Sequence, residues 1–196
     1  MSLTARTVMG DVTDEAEVAR MIAETARLLG PVDILINNAA VRRDGAFATM
    51  SLADWRLVMA VILDGSFLMS RAVIPGMVAK GHGTIVNIGG VTGHTGAVAR
   101  AHVTTAKAGL VGLTKALAVE FGGNGITVNC VVPGKIGGPR SASSGKGGAI
   151  PGGGHPLVGR EGEPEEVAAA VKLLCGPGGR YITGQTIHVS GGIYLP

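Results

Sequence analysis

Residues 83–107 read GTIVNIGGVTGHTGAVARAHVTTAK, and this stretch decides the fold. It begins with a β-branched, strand-like run at residues 84–88, passes through two glycines, and enters a helical pattern that starts at Thr104 and continues to Phe121. Strand, turn and helix in this order form the repeating unit of a parallel sheet with crossover helices. The stretch therefore predicts an α/β protein.

The same alternation continues along the rest of the chain. The predicted strands are residues 5–9, 32–37, 84–88, 126–132 and 186–189, and the predicted helices are residues 14–29, 52–79, 104–121 and 164–175. Ser51 with Asp54, and Pro164, mark two of the helix starts. We expect one domain over residues 1–196, with a parallel sheet and helices on both of its faces.

The composition limits the partners and the compartment. The net charge is only +3 and aromatic residues make up 3%, so we expect no nucleic-acid partner. No uninterrupted apolar run is long enough for a membrane helix and no leader precedes the domain, so we expect no membrane partner and a cytoplasmic protein. Cys130 and Cys175 lack metal-ligand spacing, and His82, His155 and His188 are not expected to form a ligand cluster, so no metal site is predicted and both thiols are expected to be reduced.

Two further motifs accompany the opening stretch: LINNAA at residues 35–40 and ITVNCVVPG at residues 126–134. Together the three resemble the short-chain dehydrogenase/reductase family, including its 3-oxoacyl-carrier-protein reductase branch, from about Gly10 to the C-terminus. The resemblance implies a Rossmann-like sheet, shortened here to about five strands. It also implies a parent activity of NAD(P)-dependent carbonyl/alcohol interconversion on a small carbonyl or alcohol substrate.

The catalytic positions that the resemblance implies are mostly substituted. The family uses a Tyr four residues before a Lys, a Ser thirteen residues before the Tyr, and an Asn on the preceding helix. Lys107 is present, but Val103, Gly90 and Ile62 stand at the Tyr, Ser and Asn positions. General acid catalysis contributes roughly 10²- to 10⁴-fold, so weak or absent activity is expected.

Two neighbours of Lys107 are candidates for a replacement acid. His102 is next to the tyrosine position and offers a proton donor near neutral pH, although it points about 140° away from Lys107 on a regular helix. Thr104 lies nearer the face of Lys107. We therefore predict Lys107, His102 and Thr104 as the catalytic set of an active chain.

The N-terminus lacks the glycine loop that binds the cofactor pyrophosphate in the family. Residues 9–14 resemble the end of the family's third strand, so roughly 50 to 60 residues are missing relative to the family, through internal deletion or truncation. Asp11, Asp14, Glu15 and Glu17 crowd the next helix start, where they complement the helix dipole and repel phosphate. Binding of NAD or NADP is therefore expected to be weak.

Several cofactor contacts of the family carry over by resemblance. They are Asp11, Val12, Asn37, Ala39, Ala40, Lys107, Pro133, Gly134 and Ile136. Gly138 stands where the family usually has a threonine that holds the nicotinamide carboxamide. Two of these residues also have a purely structural interpretation. Asn37 can stabilise the central sheet, and Lys107 can be an ordinary lysine on a helix surface.

The segment 134–162 corresponds to the substrate lid of the family. It is rich in Gly, Ser and Pro with little apolar periodicity, which predicts a mobile loop over the carboxyl edge of the sheet. It offers four candidate anion contacts: Arg140, Lys146, His155 and Arg160.

Two function classes remain open: an oxidoreductase relative with weak or absent activity, and a noncatalytic scaffold or assembly partner. The family forms homodimers or homotetramers through the helices at residues 52–79 and 104–121, although the small and apolar residues of the second helix could equally face the domain's own sheet. The missing strands also imply a change of topology. Residues 5–9 are expected to pair in parallel with residues 32–37 and so to become the sheet edge.

Overall fold

A four-stranded parallel sheet lies at the centre of the computed structural model, which describes residues 4–138 and 154–196. Its strands are β1 (Ile34–Asn37), β2 (Gly83–Ile88), β3 (Ile126–Pro133) and β4 (Thr186–Val189), in the order β1-β2-β3-β4. Asn37 pairs with Asn87, and Asn87 with Cys130, so the carboxyl ends of these three strands meet at one edge. The predicted α/β parallel fold is confirmed, with four strands instead of five.

Six helices of the described residues surround or cap this sheet. They are α1 (Glu15–Leu29), α2 (Leu52–Met59), α3 (Gly65–Lys80), α4 (Thr92–Thr95), α5 (Ala101–Phe121) and α6 (Pro164–Cys175). The Ser51 hydroxyl accepts a hydrogen bond from the Asp54 N–H at 3.0 Å, and Pro164 is the first residue of α6, as predicted. The helix predicted at residues 52–79 is interrupted by a π-helical turn, Ala60–Asp64, and α5 begins earlier than predicted.

Different helices cover the two faces of the sheet. Leu35 and Ile85 belong to a buried cluster with Met77 of α3 on one face. Val86, the next residue along β2, points to the other face and packs with Leu174 of α6. The predicted placement of helices on both faces is thereby confirmed.

The predicted strand at residues 5–9 does not form, and its predicted pairing with residues 32–37 is wrong. The segment lies along α1 instead: Arg6 and Val8 line a groove with residues of that helix, and the Met9 carbonyl accepts a hydrogen bond from the Arg20 guanidinium at 2.5 Å. These contacts hold the segment away from β1. β1 therefore lies at one edge of the sheet, with Ile34 and Ile36 43% and 45% exposed.

The run Leu52–Lys80, which spans α2, the π-helical turn and α3, is long and apolar enough to cross a membrane by length and composition. The sequence-based expectation that no such run exists was therefore too strict. Val58, Val73 and Met77 of this run are buried, and 39% of its apolar window is buried in all. A single run of this kind is weak evidence for a membrane span.

Candidate active site

The side chain of Lys107 reaches from α5 to the carboxyl end of β2. Its ammonium donates a hydrogen bond to the Ile88 carbonyl at 2.5 Å. Burial lowers the pKa of Lys107 to about 8; the neighbouring Cys130 thiol opposes this shift, and the positive charge of Arg42 adds to it. Burial in turn raises the pKa of Cys130 to about 11, so this thiol is protonated near neutral pH.

Gly90 lies directly beside Lys107. A Cβ added at Gly90 would lie 3.7 Å from Cγ of Lys107 and 3.9 Å from the hydroxyl of Thr92, which are ordinary contact distances. A Cβ at this position would therefore fit without displacement, next to the side chain of Lys107. With glycine, the same space is empty of side-chain atoms and no hydroxyl is supplied from position 90.

The positions that correspond to the family's Tyr and Asn are both part of the hydrophobic core. Val103 on α5 is 5% exposed and Ile62 in the π-helical turn is 1% exposed. Both belong to one buried cluster with Val58, Ala106 and Leu110. Neither side chain can donate a proton, and both are occupied in packing α2 and the π-helical turn against α5.

His102 is buried beside a different group of charges from those around Lys107. It is 1% exposed, and burial lowers its pKa, while the carboxylate of Asp54 opposes the shift. The titratable neighbours of Lys107 are the Cys130 thiol and the Arg42 guanidinium instead. The structure thus places the predicted partners His102 and Lys107 in separate electrostatic surroundings.

Thr104 is partly buried near the start of α5. Its hydroxyl and Nδ1 of His102 are both buried without a hydrogen-bond partner in the described residues. No contact among the described residues joins either atom to Lys107.

Some of the predicted cofactor residues meet in one small cavity, which adjoins β1. It has a volume of about 60 Å³ and is lined by Val12, Ile36, Asn37, Asn38, Ala39, Gly65, Ser66 and Met69. Val12, Asn37 and Ala39, which are each predicted as cofactor contacts, thus line the same cavity. Ligand pockets usually measure about 300 Å³ or more, so this cavity is well below the usual size.

Asn37 also has a clear structural role. Its side-chain amide donates hydrogen bonds to the Asn87 carbonyl oxygen at 2.8 Å and to the Ser70 hydroxyl at 3.1 Å. Asn87 in turn donates to the Thr114 hydroxyl at 2.9 Å. This buried chain links β1 and β2 to α3 and α5, and the amide of Asn37 is therefore directed into the protein.

The start of α1 does not provide a phosphate site. The carboxylate of Asp14 accepts hydrogen bonds from the N–H groups of Ala16 and Glu17, at 2.8 and 3.0 Å. Asp11 accepts from the N–H and the hydroxyl of Thr13, and the Thr13 N–H bond is the main cause of its lowered pKa. First-turn N–H groups that could bind an anion are thus occupied by carboxylates, and α1 does not fit a pyrophosphate.

The remaining predicted contacts, Pro133, Gly134 and Ile136, organise the end of β3. The Pro133 carbonyl accepts from the Val91 N–H at 3.1 Å, and the Gly134 N–H donates to the Val189 carbonyl at 2.9 Å. A Cβ at Gly134 would lie 2.6 Å from Cα of Ser190, so a glycine is required for this close approach. Ile136 forms a parallel bridge with Gly162, and Ala40 is exposed after β1.

The predicted lid is described only at its two ends. Arg140 and Lys146 lie outside the described residues, and His155 is exposed. Arg160 makes a bidentate ion pair with Glu166, at 2.8 and 2.7 Å, which holds the pKa of that carboxyl at about 2. Its charge is therefore already balanced within the chain.

Sequence reasoning missed one cluster, in which the rings of His94, His188 and Tyr194 pack together with centroids 4.6 to 5.2 Å apart. Nε2 of each histidine is buried and has no hydrogen-bond partner in the described residues. Burial lowers the pKa of both histidines. His94 lies in the opening stretch, whereas His188 and Tyr194 lie near the C-terminus, so only the juxtaposition of α4, β4 and the C-terminal segment could reveal the cluster.

The sequence matches known proteins along most of its length. The family model described as enoyl-(acyl carrier protein) reductase matches residues 1–194. A 3-oxoacyl-(acyl-carrier-protein) reductase of Vibrio cholerae is 37% identical over 185 residues, which cover 94% of this chain and 76% of that protein. An acetoacetyl-CoA reductase of Rhizobium meliloti is 41% identical over 94% of this chain and 77% of that protein. Nodulation protein G of Azospirillum brasilense is 38% identical over 94% and 75%.

Proposed function

The chain belongs to the short-chain dehydrogenase/reductase family, and from this we propose that it is an oxidoreductase relative whose own carbonyl/alcohol interconversion is weak or absent. The parent reaction is NAD(P)-dependent and acts on a small carbonyl or alcohol, in keeping with the reductase names of its relatives. A cytoplasmic location belongs to the same proposal.

One observation carries this proposal: Val103 and Ile62 are packed together in the core at the positions where the family has proton-handling groups. A missing general acid costs roughly 10²- to 10⁴-fold, and a missing oxyanion donor costs roughly 10²- to 10³-fold. Lys107 keeps its place at the end of β2, yet no proton donor from positions 62, 90 or 103 faces it. The family's framework is retained, but these proton donors are absent. Both facts support the proposal that the chain is a family member with little turnover.

The cofactor part of the proposal is weak binding of NAD or NADP. The carboxylate-capped start of α1 and the small cavity at β1 both support it. Asp11, Val12, Asn37, Ala39, Ala40, Lys107, Pro133, Gly134 and Ile136 remain the proposed contacts. Bound dinucleotide would supply the hydride, and Lys107 would supply a hydrogen-bond donor beside the reacting carbonyl.

The proposal is tested by turnover with NADH and NADPH on an acetoacetyl thioester. We expect no rate above the uncatalysed background for the natural sequence. A variant carrying Ile62→Asn, Gly90→Ser and Val103→Tyr should gain activity, and adding Lys107→Ala to it should remove the gain. Robust turnover of the natural chain would overturn the proposal, and turnover that survives both Lys107→Ala and His102→Ala would also rule out the proposed site.

A second candidate function is a noncatalytic assembly partner. Large apolar side chains are exposed on the two helices that the family uses between subunits, namely Leu52, Leu57, Phe67, Val78 and Val119. Ala106 and Leu110 are instead buried within the domain, so they are not part of such a surface. Light scattering after size-exclusion chromatography tests this candidate: Phe67→Glu should reduce the assembly to monomers, whereas Arg56→Glu on the neighbouring helix serves as a charge control.

A further inference from the structure

Three aromatic rings from separate parts of the chain pack together near the carboxyl end of β4. The ring of His94 in α4 lies 4.6 Å from that of His188 in β4, and both lie 5.0 to 5.2 Å from the ring of Tyr194. Tyr194 also packs against the buried apolar residues at the end of β3, which include Val132. These three rings, the ring cluster, thus attach the end of the chain to α4 and the sheet.

The ring cluster is suited to neutral histidines only. Nε2 of His94 and Nε2 of His188 are both buried, and neither has a hydrogen-bond partner in the described residues. A neutral imidazole can leave a lone pair on Nε2, whereas a protonated imidazole carries an N–H on both ring nitrogens. Protonation of either ring therefore creates a buried N–H without an acceptor and places a positive charge against the other ring.

The groups that surround the two imidazoles do not compensate such a charge. Among the described residues, the charged groups that act on them are cations: Lys115 of α5 disfavours a charge on His94, and His94 disfavours one on His188. The C-terminal segment contributes the phenol of Tyr194, and β3 contributes the Cys130 thiol, whose pKa burial raises to about 11. Burial lowers the pKa of both histidines, in the same direction as these charges.

The chain between His188 and Tyr194 makes a second contact, with residues 156–158. The Gly191 carbonyl accepts a hydrogen bond from the Val158 N–H at 3.3 Å. A Cβ added at Gly191 would lie 2.9 Å from Val158 and 3.0 Å from Pro156, so the two segments touch at this glycine. Because this contact lies between two members of the ring cluster, it depends on the position that the cluster gives to the C-terminal segment.

We propose that the ring cluster is an acid-sensitive latch: protonation of His94 or His188 releases the C-terminal segment, residues 190–196, from α4, and residues 156–158 are released with it. The strands β1, β2 and β3 pair with one another without this segment and stay folded. The released state binds more protons than the closed state, so its population is low above the ordinary histidine pKa of about 6.5 and rises as the pH falls below it. The latch goes beyond the proposed function, since it involves neither Lys107 nor NAD(P).

The test is hydrogen–deuterium exchange of the full chain at pH 7.5 and pH 5.5, read by mass spectrometry, with exchange times scaled for the intrinsic rate at each pH. We expect peptides that cover residues 154–162 and 190–196 to lose protection at pH 5.5. The loss should be up to roughly tenfold for each histidine that is protonated on release, because that is the change in proton binding of a group with a pKa of about 6.5. Peptides that cover residues 83–88 of β2 should keep their protection.

Three variants separate the parts of the proposal. The double variant His94→Asn, His188→Asn should show the same protection of both segments at the two pH values, whatever its level. His155→Asn is the matched control, because His155 is exposed and lies beside residues 156–158, and it should retain the full response of the natural chain. Tyr194→Ala should lower the protection of residues 154–162 already at pH 7.5. The protection of β2 in the same experiment shows that each variant is folded.

Three results would overturn the inference. One is a double variant that responds to pH as strongly as the natural chain, and another is a response that disappears in His155→Asn. The third is a loss of protection at pH 5.5 that is equal in β2 and in the two segments, since this is global unfolding and not release of a latch. None of these results depends on NAD(P) binding or on reductase turnover, so the inference and the proposed function fail separately.

Discussion

Ile62 and Val103 lie in one buried apolar cluster, at 1% and 5% exposure, although they come from different helical segments. Ile62 is in the π-helical turn Ala60–Asp64, and Val103 is near the start of α5. Wide turns of this kind often mark functional sites in helices, and here the turn carries the position of the family's Asn. The cluster thus places the positions that correspond to the family's Asn and Tyr in core packing.

Restoring the family's polar residues should destabilise the protein. Ile62→Asn buries an amide without a partner and should cost about 1 to 3 kcal/mol of unfolding free energy. Val103→Tyr overpacks the cluster and should cost a similar amount, about 1 to 3 kcal/mol. Urea denaturation checks both, with Val119→Tyr as the control because Val119 is 86% exposed on the same helix. Unchanged midpoints for both core variants would contradict the packing described here.

NAD(P)H should bind weakly. The start of α1 is capped by Asp14 and the cavity at β1 measures about 60 Å³, so neither offers a site for the pyrophosphate. We expect Kd values above about 100 μM, or about −5.5 kcal/mol or weaker, for both NADH and NADPH. Isothermal titration measures this directly, and low-micromolar binding of either cofactor would refute the expectation.

Asn37 should contribute to stability through its buried hydrogen bonds. Asn37→Ala leaves the side-chain oxygen of Asn87 and the hydroxyl of Ser70 without their shared donor, and it should cost about 1 to 3 kcal/mol. Asn38 is the matched control, since it is the next residue and is exposed. Chemical denaturation should show a large loss for the first variant and little change for Asn38→Ala; equal effects would argue against the buried chain.

The protein should lose stability on mild acidification because of His94 and His188. Burial lowers the pKa of both, so the folded state binds fewer protons than the unfolded state. Their contribution is therefore fully present above the unfolded pKa of about 6.5 and declines as the pH falls below it. Thermal unfolding from pH 7.5 to 5 should depend less on pH in a His94→Asn, His188→Asn double variant.

The control for this pH effect is His82→Asn. The side chain of His82 is 63% exposed, and the variant should retain the pH dependence of the natural chain. A double variant that is just as acid-sensitive as the natural protein would assign the effect to other groups.

The open edge of β1 should promote association. Ile36 is 45% exposed on a strand whose outer side has no partner strand in the described residues. Ile36→Lys places a charge on this edge and should reduce concentration-dependent association, as charged residues do on natural edge strands. Light scattering at increasing protein concentration measures the effect, and Leu157→Lys, an exposed apolar site away from the edge, is the control.

Much of the fold was predictable because it depends on local patterns. The β-branched runs specified β2, β3 and β4, and the Ser51 and Pro164 signals specified helix starts. The family motifs also indicated which catalytic positions are substituted. Val103 and Gly90 were identified by their spacing from Lys107 along the chain. These properties need only neighbouring residues, and the sequence contains them in full.

Tertiary structure decided the features that depend on competition between distant contacts. Residues 5–9 have a strand-like pattern, but the Arg20 bond to the Met9 carbonyl and the packing of Met21 against Gly10 hold the segment on α1. The cluster of His94, His188 and Tyr194 likewise exists only because α4, β4 and the C-terminal segment meet. A local sequence pattern predicts which secondary structure a segment can form. The free energy of long-range contacts then selects the element against which that segment packs.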